Sequence, residues 1–263
     1  MFTRVYAMLS RYKVLITGSF PRMLSIFYWP SIQIILWGFF TNFLISIDNI
    51  ETQNSFSFLL SAIILWDVLF RGQLGLSMTF FEELWSRNLA HLLISPLRNI
   101  ELILSLIVTS FFRTCLGLFP AIFVANYYFE LHMFELGLYL ILFFFNLIIM
   151  GWTIGLIVSG LVLRYGQSFE ELAWAIIFVI LPFSCVYYPL DVLPVFFQNI
   201  ALLLPPIYVF EGMRSILSSG IFDELLFLKV IVINLIYFAF SVFFLLKMID
   251  SSKKSGNLLD YGE

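Results

Sequence analysis

Long apolar blocks divided by short polar breaks organise this chain, and the blocks predict its elements. A membrane-spanning helix needs about 20 mostly apolar residues. Six blocks meet or approach that length: Met23–Ile47, Phe56–Phe80, Ile100–Ala125, Phe134–Leu163, Leu172–Tyr188 and Leu225–Met248. Ahead of them, Met1–Pro21 has a different pattern. Val5, Met8, Leu9 and Tyr12 recur at helical spacing while Arg4, Arg11 and Lys13 fall largely elsewhere, which predicts an amphipathic helix lying in the membrane interface. That stretch is too charged for the core of a cleavable signal peptide and lacks a small-residue cleavage site.

Two further segments break the block pattern. Phe81–Ile100 places Leu84, Trp85, Leu89, Leu92 and Leu93 at helical spacing beside Glu82, Glu83 and Arg87, and Pro96 ends the run. The expectation is one amphipathic helix, about residues 82–95, parallel to the membrane and resting on lipid or on a partner. Ser184–Gly220 stays strongly apolar, yet Pro182, Pro189, Pro194, Pro205 and Pro206 fall in or just before it. Proline removes a backbone donor and clashes with the preceding turn. Short, broken apolar segments at membrane depth read as re-entrant helices packed tightly by protein.

Composition agrees with the blocks. Hydrophobic residues make up 61% of the chain and charged residues 12%, about half the charge of a soluble domain, so lipid must cover what a core cannot. The length suits one membrane domain. No basic stripe lies outside the membrane-flanking positions, and nucleic-acid binding has no support. Cys115 and Cys185 sit in apolar runs and read as buried side chains rather than a disulfide.

Charge position sets the expected topology. Arg4, Arg11, Lys13, Arg22, Arg87, Arg98, Arg164, Lys247, Lys253 and Lys254 cluster at the N-terminus, in two loops and in the tail. The intervening loops, Ile47–Ser55 and Asn126–Glu135, carry acidic residues and His132. By the positive-inside bias the chain is expected to be all-α, with six spans and both ends in the cytoplasm. Residues 1–22 form the interface helix, 23–248 the membrane domain and 249–263 a cytoplasmic tail. On this topology His91 and His132 lie on opposite sides and share no site.

Three charges fall inside spans. Asp67 and Arg71, four apart on one helical face, are placed to pair. Arg113 has no partner in its own helix. Such groups mark either a transport path or a structural contact between helices. Gly151, Gly155 and Ser159 make a small-residue ridge that allows close helix approach, inside the molecule or at a dimer seam. No phosphate-binding G-x-x-x-x-G-K-[ST] loop, metal-spaced His/Cys cluster or H-E-x-x-H motif is present, so no catalytic residue and no metal ligand is assigned.

The acidic pair Glu82–Glu83 before Ser95-Pro96-Leu97-Arg98 resembles the first coupling region of ABC-2 type exporter permeases. The block Leu181–Arg214 resembles that family's C-terminal pattern more specifically, through Pro182, Ser184, Tyr188, Pro189, Asp191, Leu193, Pro194, Pro205, Glu211 and Arg214. One departure is Cys185, where many relatives carry glycine. The resemblance covers nearly the whole chain. It implies a type V exporter fold, a homodimer in a bacterial inner membrane, and two copies of a separate ABC ATP-binding subunit that holds ATP and Mg. This chain would bind no cofactor of its own. Glu82, Glu83, Trp85, Arg87, Leu89, Arg164 and Glu170 are then the expected motor contacts. Tyr188, Pro189, Asp191, Pro194, Pro205, Glu211 and Arg214 are expected to build an external cap, about residues 189–214. The Tyr188–Pro194 run leans towards the drug, lipo-oligosaccharide and polysaccharide branch, so the implied cargo is amphiphilic, lipid-like or a glycoconjugate. Two other readings remain: an integral-membrane enzyme acting on lipid, which needs clustered polar residues at one interface, and an ion-coupled secondary transporter, which needs inverted repeats and a midplane charge network.

Overall fold

The computed structural model describes residues 2–48, 53–131 and 137–255, and every described element is helical. The elements are α1 (Phe2–Thr17), α2 (Phe20–Asp48), α3 (Gln53–Trp85), α4 (Leu89–Ile94), α5 (Asn99–Phe129), α6 (Leu138–Tyr165), α7 (Leu172–Phe183), α8 (Val195–Ala201), α9 (Pro205–Ser219) and α10 (Glu224–Ser255). Short 3-10 turns at Gln167–Glu171 and Leu190–Val192 flank α7 and α8. Five helices, α2, α3, α5, α6 and α10, are long and apolar enough to cross a membrane, and a sixth crossing arises if the bent pair α8–α9 counts as one. The protein is a multi-pass membrane protein.

α3 is the hub. It packs against α5 on one side and α6 on the other, while α2 lies on α5 and α10 lies on α6. The hydrophobic stretch of α3 is 78% buried inside the chain, whereas those of α2 and α10 are 22% buried. Outward-facing Phe39, Phe43, Phe119, Phe123, Phe240 and Phe243 are all more than half exposed, as expected of side chains that meet lipid.

Small residues let the hub close. A side chain at Gly151 would meet the Leu69 carbonyl at 2.5 Å, and one at Gly155 the Gln73 carbonyl at 3.1 Å. The ridge on α6 therefore packs against α3 within the molecule. Ser110 of α5 donates to the Gly72 carbonyl at 2.7 Å and accepts from Trp152 Nε1 at 3.1 Å, tying α3, α5 and α6 at one level. The prolines inside α2 (Pro30) and α5 (Pro120) are accommodated within continuous helices, which neighbouring helices allow in a membrane.

Three sequence expectations need correction. The block Leu172–Tyr188 is not a full-length helix: α7 has 12 residues and ends at Phe183, about 18 Å at 1.5 Å per residue. Cys185 takes the left-handed conformation (φ 52°) and the chain turns there. The amphipathic stretch 82–95 is not one helix either. α3 runs on through Glu82 and Glu83 to Trp85, then stops in a Schellman turn: Asn88 N–H donates to the Glu83 carbonyl, Arg87 N–H to that of Leu84, and Arg87 is left-handed at φ 53°. Finally, the last helix does not end at the expected Met248: α10 runs on to Ser255. Parts of the two acidic loops, residues 49–52 and 132–135 with His132, and the residues after 255 lie outside the described residues, as does Phe134 at the expected start of the fourth span.

Candidate functional sites at the two ends and in the middle

The basic residues gather at one end of the bundle, where α1 is laid against α5 and α2. Its inward face is Val5, Met8 and Tyr12, and its arginines reach across to the acidic residues of other helices. Glu83 is 1% exposed, and its Oε2 accepts from Arg11 at 2.9 Å and from Asn88 Nδ2 at 2.8 Å. Arg4 pairs with buried Glu101 at 3.5 Å and donates to the Pro96 carbonyl. Arg22 approaches Glu82 at 3.9 Å. Glu101 also accepts from the Arg98 N–H at 2.9 Å, closing the first turn of α5. Burial, with the Glu83 charge beside it, pushes the Tyr12 phenol well above its ordinary value. A chain-length view of Glu82 and Glu83 as an open acidic surface is therefore incomplete: Glu83 is committed to α1.

The remaining residues of this end stay more accessible. Trp85 is half exposed, and its indole N–H donates to both carboxylate oxygens of Glu170 at 2.9 and 3.0 Å. The loop after α3 and the loop after α6 are thus joined, though 85 residues separate them. Burial raises the Glu170 carboxyl above its ordinary value, the indole N–H opposes the rise and Glu171 adds to it. Leu89 is the buried residue of α4, while Arg87, His91 and Ile94 face outward, Ile94 at 83%. Arg164 does not join this group: it donates to Ser251 of α10 at 2.9 Å. The helix ends of α6 and α10 are fastened again by Ser252, which donates to the Leu163 carbonyl at 3.2 Å.

At the opposite end the broken segment folds into a knot. Arg214 donates to Glu211 at 2.6 Å and to the Cys185 carbonyl at 3.2 Å, and its guanidinium lies 4.5 Å from the centre of the Phe58 ring. Glu211 also accepts from the Leu190 N–H at 2.9 Å. One ion pair on α9 thereby closes the end of α7, the turn after Pro189 and the start of α3. Tyr188 reinforces it by donating to the Pro182 carbonyl at 2.8 Å, and Tyr187 stacks on Trp37 of α2 at 5.1 Å. Pro194 and Pro205 sit at the starts of α8 and α9, which meet at 101°. Asp191 is exposed and makes none of these contacts. α9 buries Pro205, Pro206, Ile207, Val209, Phe210 and Met213 against α6, α10 and α3.

In the middle, Asp67 and Arg71 form an ion pair along α3 with both side chains largely buried. Arg113 of α5 donates to Thr79 Oγ1 of α3 at 3.1 Å. Arg71 and Arg113 line one groove, with Ser25, Trp29 and Gln33 of α2 and Trp174 of α7, of about 470 Å³. No cluster of His, Cys, Asp or Glu among the described residues has a metal-binding arrangement.

Sequence reasoning missed the partners more than the residues. Arg4 and Arg11 lie seven apart, on one face of α1, and that spacing was the available signal that two acidic groups wait opposite them. Nothing local announced Thr79 or the Cys185 carbonyl.

A family model for the ABC-2 type transporter membrane domain matches residues 11–218. The chain belongs to that family. Its members are membrane transport subunits that lack a catalytic nucleotide-binding domain and work with a separate ABC ATPase subunit. No curated protein matches the chain significantly.

Proposed function

We propose that this chain is the permease subunit of an ATP-driven exporter in a bacterial inner membrane, moving an amphiphilic, lipid-like or glycoconjugate substrate out of the cytoplasm or inner leaflet. Two copies form a homodimer, served by two copies of the ATPase. Each copy has six crossings and cytoplasmic termini. α7 with its flanking turn makes the short fifth crossing, and the bent pair α8–α9 is a re-entrant cap outside. The membrane domain is 23–248, preceded by the interface helix.

The observation that carries this reading is the Trp85–Glu170 contact. It joins the end of α3 to the turn after α6 at the basic end, and leaves Arg87 outward in the turn and His91 and Ile94 outward on a short helix. A motor that pushes this joined surface pushes α3, the hub, directly. Glu83 acts here by holding α1 to that surface, Glu82 by holding the start of α2 and Arg164 by holding α10. On the other side, the Glu211–Arg214 knot and the prolines keep the cap bent so that it closes the exit.

The test is reconstitution. Co-expressed with its ABC ATPase partner, the tagged chain is expected to bring that subunit down and to stimulate its hydrolysis. Cysteines placed at Glu130 and Lys254 are expected to label from outside and inside respectively. A purified chain that transports alone, or a Lys254→Cys protein labelled from outside intact cells, overturns the reading.

A further inference from the structure

A cavity of about 290 Å³ lies between α9 and the start of α10, at the end away from the basic residues. Its apolar side is aromatic. Tyr208, Phe222 and Phe227 line it, with the Phe222 and Phe227 ring centres 5.2 Å apart. Phe143 of α6 backs both rings, at 5.7 and 5.5 Å. Gly212 of α9 lets this wall form, because a side-chain carbon there would meet the Phe222 ring at 2.8 Å.

The polar side consists of acceptors. Glu211, Asp223 and Ser215 line the cavity, and none of its described lining residues is a Lys or Arg. Glu211 receives the Leu190 N–H and Arg214 on the same oxygen, Oε1, so that Oε2 accepts no bond among the described residues. Asp223 caps α10 with Oδ1, which accepts from the Leu226 N–H at 2.9 Å, and its Oδ2 is left over. The Tyr208 hydroxyl already donates to the Leu202 carbonyl at 2.9 Å and offers the cavity no proton. Arg214 answers the charge of Glu211, while Asp223 has no ion pair among the described residues. The lining is therefore acidic.

Two spare carboxylate oxygens and a hydroxyl beside three rings suit a cation that donates hydrogen bonds. N–H bonds from a cation to a carboxylate are among the stronger ones, and aromatic faces attract a positive charge. A hard metal ion would want about six oxygen ligands and draw nothing from the rings. Ile221, Leu225 and Leu226, next to the cavity in sequence or lining it, are 71%, 75% and 44% exposed, so apolar surface suited to lipid adjoins it.

We infer that this cavity binds a primary ammonium group, carried by a lipid head at that face of the membrane or by a free amine. Asp223 and Glu211 accept its N–H groups, and the rings cover its carbon atoms. The inference does not rest on the export reading.

Binding is read as the rise in melting temperature of the full chain in neutral detergent, which a ligand of the folded state produces. The probes are two pairs that differ in whether the cation carries N–H groups. One is phosphatidylethanolamine against phosphatidylcholine with identical chains, the other ethanolamine against choline. In at least one pair the N–H member is expected to act at about tenfold lower concentration. Preference within the lipid pair alone assigns the site to a lipid head; preference within the soluble pair assigns it to a free amine. Asp223→Asn removes the charge yet keeps a good helix cap, and is expected to erase the preference. Ser215→Leu, at an exposed position, narrows the cavity with both carboxylates in place and is expected to erase it too. No preference in either pair, or a preference that survives both variants, overturns the inference. No ATPase enters these measurements, so the site and the export reading fail separately.

Discussion

The two ends of the bundle are fastened in opposite ways. At the basic end three ion pairs, Arg4–Glu101, Arg11–Glu83 and Arg22–Glu82, join helices that are far apart in sequence, and each has an arginine with substantial exposure. At the other end one pair, Glu211–Arg214, three residues apart on a single helix, holds three other segments through backbone groups and one ring. A distributed clasp loses little when one stitch is cut, and it can slip stitch by stitch. A single knot is firm until its one member goes. The first arrangement suits a surface that must yield to a partner, the second a lid that must hold its bend.

Variants sharpen that contrast. Arg214→Ala cuts the knot completely: it frees Glu211, the Cys185 carbonyl and Phe58 together. The pair is partly exposed, Arg214 at 22% and Glu211 at 34%, so its own loss costs about 1–3 kcal/mol. Because the Cys185 carbonyl and Phe58 are released with it, melting of the purified protein is expected to fall further for this variant than for any change at the basic end. A loss no greater than that of Arg11→Ala breaks the comparison. Next comes Gly151→Ala, which attacks the region between the ends. Its new methyl meets the Leu69 carbonyl, and overpacking of this kind costs about 1–3 kcal/mol. Both ends should loosen together, read as faster hydrogen exchange at α4 and at α8; exchange altered at one end alone argues that α3 does not link them.

At the basic end, a double-mutant cycle of Arg11→Ala with Glu83→Gln should give a coupling of about 1–2 kcal/mol. Asn88 still donates to Glu83 when Arg11 is removed, and no other segment is released, which keeps the figure below that of the knot. No coupling at all means that α1 is held by its apolar face. The smallest expected stability effect is that of Trp85→Phe, under about 1 kcal/mol, since the ring still packs and only the exposed hydrogen bond to Glu170 is lost. Its functional effect is expected to be large: ATP hydrolysis by the complex continues while transport drops. Normal transport by Trp85→Phe removes the joined loops from the mechanism.

How much of this was readable in the chain depends on the kind of signal. α5 and α6 were plain, because uninterrupted apolar runs leave a membrane helix as the one way to satisfy the backbone. The prolines at 189, 194 and 205 announced a broken segment correctly. The end of α3 was not legible, since the left-handed position that stops a helix belongs to glycine or asparagine by habit and here holds Arg87. α7 hid its end for the same reason: the residues after Phe183 stay apolar, and the turn occurs at Cys185. The knot was half visible, Glu211 and Arg214 being three apart, but its grip on Leu190 and Cys185 depends on tertiary placement. Arg113 found Thr79 across 34 positions, a distance over which sequence spacing carries no information.

The helix at the hub has one more property. Gly151 meets α3 at Leu69, and Leu69 stands midway between Gln53 and Trp85. The closest backbone approach in that packing therefore falls at the midpoint of an unbroken rod about 50 Å long. Phe58 near one tip lies under Arg214, and Trp85 at the other tip holds Glu170. Such a rod has the geometry of a seesaw, with its fulcrum at mid-length. Rocking it by about 10° shifts each tip by roughly 4 Å in opposite senses, about the width of a hydrogen bond with its donor. On the proposed coupling, a push at one tip would reach the other within the time a stiff body takes to tilt, with no wave of rearranging side chains in between.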